Sequence, residues 1–124
     1  MVLYLCTLKQ NEMTTEQTLM KLGVREFNPN ETMYVLTKTQ GGLPYMCWGV
    51  EKVIRIGLTK DGYVKGLLLK VTGSKWKHFV MITLNGLDYY EVRLLNSMLV
   101  VEQTIDHDIM FDELVGVIDG LIET

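Results

Sequence analysis

At 124 residues the chain has room for one ordinary domain and not for two. Its 48% hydrophobic content, 22% charged content and two prolines exclude a disordered chain. A net charge of −3 argues against a dedicated nucleic-acid binder, which is expected to be basic overall. No apolar run approaches the ~20 residues that span a bilayer.

The opening MVLYLCTLKQ is apolar but lacks the basic flank and small-residue cleavage site of an export signal. A cytoplasmic protein is therefore expected, with Cys6 and Cys47 reduced and packed as small hydrophobes. Val2–Leu8 reads as a short edge strand. A first helix follows, with Thr14 as N-cap, Gln17 completing a capping box and Gly23 at C′. Asn28-Pro29-Asn30 marks a turn. Met33-Tyr34-Val35-Leu36 reads as a strand that Gly41-Gly42 and Pro44 end.

Two hairpins are expected next. Asp61-Gly62 suits a two-residue turn that would set Ile56 opposite Leu67 and Ile54 opposite Leu69. Asn85-Gly86 would pair Phe79 with Val92, Met81 with Tyr90 and His78 with Arg93. Met98–Thr104 reads as one more strand. The last element is an amphipathic helix carrying Phe111, Leu114, Val115, Ile118, Leu121 and Ile122 on one side. Asp106 or Asp108 can cap it, and Gly116 and Gly120 would let it lie close to the sheet. The expected fold is α+β: one domain with a mostly antiparallel sheet of five to seven strands, a short N-terminal helix and a C-terminal amphipathic helix on the sheet.

Catalytic motifs are scarce. Gln40-Gly41-Gly42 lacks the Lys-Ser/Thr of a phosphate loop. Cys6, Cys47, His78 and His107 contain no close pair of the kind that holds zinc. The expectation is a non-enzyme with no catalytic residue, no cofactor and no metal. Charge is more informative. Residues 106–124 hold six acids, among them Asp112, Glu113, Asp119 and Glu123, and no Lys or Arg. With Trp48, Trp76 and Tyr89, residue types that anchor binding hot spots, these four acids are the candidate partner contacts. Lys65, Lys70, Lys75 and Lys77, near Tyr63 and Trp76, form the alternative: a single-stranded nucleic-acid surface. Each group also has a plain reading as a solvated face or a small core.

Two stretches carry a resemblance. Met13-Thr14-Thr15-Glu16-Gln17-Thr18-Leu19-Met20-Lys21-Leu22-Gly23 resembles the opening of short uncharacterised proteins encoded by bacteriophages and other mobile elements. The run from Val80 to Val92, ITLN followed by Asp88, Tyr90 and Val92, resembles their central hairpin. Phe111-Asp112-Glu113-Leu114 resembles their helix start. The likeness covers about half the chain, places residues 1–12 before the usual start, and carries no site residue across. It implies an accessory protein in a bacterial host cell. Such a protein would bind a host protein or complex, with inhibition of a defence system as one form, and would not need a membrane. A self-associating assembly component, a homo-oligomer, is a further class.

Overall fold

The computed structural model describes residues 16–123, the side chains of Asp106 and His107 excepted. The expectations for Val2–Leu8, Cys6 and the Thr14 cap, and for capping by Asp106, lie outside the described residues. After a helical stretch at 16–20 come α1 (Pro29–Lys38), a 3₁₀ turn (Thr39–Gly42) and a short α2 (Leu43–Cys47). Five strands follow: β1 (Lys52–Ile56), β2 (Gly66–Lys70), β3 (Phe79–Leu84), β4 (Tyr90–Leu95) and β5 (Val101–Ile109). The last element is α3 (Leu114–Ile122). The strands form one antiparallel sheet in the order β1-β2-β3-β4-β5, so the α+β expectation holds.

The main core lies on one sheet face. Leu67, Leu69, Val80, Ile82, Val92 and Leu94 meet Leu36 of α1, Trp48 after α2, and Leu114, Val115, Ile118 and Ile122 of α3. A smaller cluster on the opposite face joins Ile56, Leu68, Met81 and Leu95 to Leu19, with Met20 and Leu22 packed beside them. Both faces of the central strands are covered, which explains why neither face reads as purely polar.

Several local expectations give way. Residues 33–36 are helical because Asn28 is an N-cap: its side chain accepts the Asn30 amide at 2.9 Å, with Pro29 opening the helix. The first hairpin slips by one residue, setting Ile54 opposite Leu68 and Ile56 opposite Gly66. A one-residue slip turns every side chain over, so Ile56 joins the smaller cluster while Leu67 and Leu69 join the main core. The long connection allows this, because Phe27 and Val64 exchange both backbone hydrogen bonds at 2.9 Å and pin residue 64 outside the hairpin.

The second hairpin turns through a longer loop than Asn-Gly would need. Asn85 Oδ1 accepts the amides of Leu87 at 2.9 Å and Tyr89 at 3.1 Å, and Asp88 adopts φ 69°. Met81 then faces Arg93 rather than Tyr90, and Phe79 faces Leu95 rather than Val92. The final strand begins at Val101 and runs on to Ile109, so Asp108 lies in β5 and bonds Asn85 instead of capping α3.

Glycines and thiols differ too. Gly23 has no positive φ; a Cβ there would collide with the Lys65 carbonyl, so its smallness serves a close approach. Gly116 and Gly120 are exposed, with open space where a Cβ would go, so neither brings α3 close to the sheet. Cys47 is exposed and free rather than packed. No helix among the described residues is long and apolar enough to cross a membrane.

Candidate functional site: a groove along α1

The capping that turns 33–36 into helix also creates a surface stripe. Glu31, Tyr34, Val35 and Lys38 recur at i, i+3, i+4 and i+7, so they share one side of α1. Phe111 and Asp112, in the connection from β5 to α3, stand across from that stripe. Two recesses result, both lined by α1 and both bordered by Phe111. Tyr34 and Phe111 are 66% and 62% exposed, an unusual position for two large rings in one cleft.

The first recess has a volume of about 340 Å³. Buried Phe27 and Tyr90 lie at its base, their rings perpendicular with centroids 6.5 Å apart. The Tyr90 hydroxyl and Thr32 Oγ1 share a buried hydrogen bond of 2.8 Å. Burial raises the Tyr90 phenol above its ordinary pKa, and the charge of Glu31 adds to this; the Thr32 hydrogen bond works the other way. Exposed Tyr63 joins the lining because the Phe27–Val64 bridge holds the adjoining residue of the β1–β2 connection beside Phe27. Arg25 forms an ion pair with Asp88 at the margin, tying residues before α1 to the β3–β4 loop. The second recess, about 260 Å³, is lined by Tyr34, Val35, Lys38, Thr39, Phe111 and Asp112.

Of the acids expected to meet a partner, Asp112 is exposed and lines this groove. Glu113 is exposed, but its Oε1 accepts the Met110 amide at 3.0 Å and so shapes the start of α3. Asp119 is half-buried and accepts the Trp48 indole N–H at 2.9 Å. Glu123 is half-buried at the far end of α3, where its carbonyl accepts the Ser74 hydroxyl at 2.7 Å. Trp48 is 0% exposed and belongs to the core, so it offers a partner no surface. Trp76 is half-buried, donates its N–H to the Phe79 carbonyl at 3.0 Å, and meets His78 edge-on at 5.3 Å. Tyr89 is half-buried within the β3–β4 loop.

The four lysines are divided between the two ends of β2 and the β2–β3 connection. Lys65 and Lys70 flank opposite ends of β2, both half-buried. Lys75 serves α3: its amide donates to the Ile122 carbonyl at 2.8 Å and its Nζ to the Gly120 carbonyl at 3.2 Å. A cation at a helix C-terminus is favourable in its own right. Lys77 is exposed on the same connection. Arg93 is not opposite His78; it donates to Thr83 Oγ1 at 3.0 Å and pairs with Glu91 at 3.4 Å. Among the described residues no three His, Cys, Asp or Glu side chains converge as metal ligands would.

The groove residues that the sequence reading passed over are Arg25, Glu31, Tyr34, Asp88 and Tyr90. Their signal lay in Asn28-Pro29, an N-cap followed by a helix-opening proline, which would have turned the 31–38 spacing into a helix stripe. No known protein family, no curated protein and no solved structure matches this chain, so the chemistry of the groove is what bears on its function.

Proposed function

We propose that this protein is a non-catalytic accessory protein that binds a protein partner through the groove along α1. The observation that carries the reading is the pair of exposed rings, Tyr34 and Phe111, on opposite sides of a recess with Asp112 at its edge. Aromatic anchors around a concave apolar patch with a charged margin are the usual composition of a binding hot spot. The resemblance to phage and mobile-element proteins supplies the setting: a host protein in a bacterial cell, and inhibition of a defence complex as one form. Asp112 is the acid of this region that borders the groove, while the Glu113 and Asp119 carboxylates accept hydrogen bonds within the fold.

The test is a tagged pull-down from bacterial lysate with and without nuclease, repeated with Tyr34→Ala, Phe111→Ala and Asp112→Lys. A stoichiometric protein should survive nuclease, and each aromatic truncation should weaken it by about tenfold or more. Capture indifferent to all three variants would remove the groove from consideration.

One observation favours a second reading. Lys52 and Lys70 sit directly opposite each other on β1 and β2, and Phe79 is the next residue in that row on β3. Paired cations beside a ring suit a single-stranded phosphate backbone. That reading calls for binding that falls steeply with salt and disappears in Lys52→Glu plus Lys70→Glu.

A further inference from the structure

We infer that the first recess takes a positively charged organic group, the alkylammonium or guanidinium of a basic side chain on the partner. This inference rests on the groove being the partner surface and names the chemistry one end of it selects.

Charge comes first. Arg25 is the one basic side chain in the lining, and Asp88 already neutralises it. Glu31 is left over: it is exposed, borders the recess, and has no ion-pair partner among the described residues. The lining therefore carries one uncompensated negative charge. Asn28, the other polar candidate, has its side-chain oxygen committed to the Asn30 amide. An anion would have to break the Arg25–Asp88 pair and approach Glu31. An apolar group would desolvate Glu31 with nothing in return.

The aromatic lining points the same way. Phe27, Tyr63, Tyr90 and Phe111 all border this one space, two at the base and two exposed. Aromatic rings attract a cation through their quadrupoles, and the attraction grows as water is excluded. The buried hydrogen bond to Thr32 holds the Tyr90 hydroxyl in place beneath the recess. A volume of about 340 Å³ accepts a guanidinium or ammonium group with part of its stem.

The experiment is an amide-shift titration of the ¹⁵N-labelled chain with three probes: N-acetyl-arginine methylamide, N-acetyl-lysine methylamide and the neutral N-acetyl-norleucine methylamide. The two cationic probes should give saturable shifts at Glu31, Tyr63, Asp88 and Phe111 and bind about tenfold more tightly than norleucine. Glu31→Gln should erase most of that preference while leaving norleucine unchanged. Phe111→Ala should weaken all three. Both side chains are exposed, so an otherwise unchanged amide spectrum certifies the fold. Equal binding of norleucine, absence of saturable shifts, or a preference untouched by Glu31→Gln would overturn the inference. The pull-down separates it from the broader reading. Capture lost in Tyr34→Ala but intact in Glu31→Gln overturns the cation inference and keeps the groove. Cationic probes that bind while Glu31→Gln and Tyr34→Ala both leave capture intact overturn the partner's side chain as occupant.

Discussion

Tyr90 and Thr32 are 58 positions apart and share the buried hydrogen bond on which the floor of the first recess rests. Removing one partner leaves the other buried and unsatisfied, which costs about 1–3 kcal/mol, whereas removing both costs much less. Thr32→Val and Tyr90→Phe should therefore each destabilise the protein, and the double variant should fall well short of their sum. Chemical denaturation of the four proteins measures the coupling directly. The same phenol sets a pH dependence. Its ordinary pKa is 10.0, and burial raises it in the folded chain. Between the two values the folded state keeps a proton that the unfolded chain has lost. This stabilisation is complete below pH 10.0 and disappears as pH climbs through the folded value. Tyr90→Phe should flatten the alkaline limb of the stability profile. Tyr45, also raised by burial, should keep some of the slope.

Among the elements, α3 shows how a helix with two glycines is held. Its buried side chains meet the sheet, while the Ser74 hydroxyl and the Lys75 amide of the β2–β3 connection donate to the Glu123 and Ile122 carbonyls at its end. Gly116 faces open space on the solvent side. Gly116→Ala should raise stability by about 1 kcal/mol, read as a higher denaturation midpoint at unchanged slope. Clash or loss of stability would mean that the helix needs that surface bare. The C-terminal helix was legible because Leu114, Val115, Ile118, Leu121 and Ile122 repeat at helical spacing; Phe111, expected to share that apolar side, instead precedes the helix and is exposed. The strands were legible as runs of branched and aromatic residues, but their pairing was not. Asp61-Gly62 and Asn85-Gly86 both suggested tight turns. In the structure the Phe27–Val64 bridge and the Asn85 side chain, contacts invisible to a turn rule, set longer loops. Residues 33–36 misled because Met-Tyr-Val-Leu suits a strand locally, and only the cap five residues upstream decides for helix. That misreading hid the stripe and, with it, most of the groove.

For the whole molecule, the sheet edge at β5 is a second surface to consider beside the groove. β5 is last in the strand order, and Val101–Thr104 are exposed. Such an edge invites pairing with a second copy. Glu102 and Asp108 on the strand, with register shifts between β4 and β5, work against it. Light scattering should report a single 14.2 kDa species across a concentration series. A mass that rises with concentration and returns to the monomer in Val101→Lys would instead assign the edge to self-association.

The strand order also bears on how quickly the chain finds its shape. Among the described residues each strand pairs with its sequence neighbours, so the sheet can assemble one hairpin after another without closing a long loop. The distant links, Thr32 to Tyr90 and Trp48 to Asp119, come from the helical layer and span 58 and 71 positions. A meander that zips locally and a helical layer that seals it afterwards give the chain a sheet before it has a groove. If the groove is the partner surface, binding would then be the last property acquired on refolding and the first lost when the outer layer loosens.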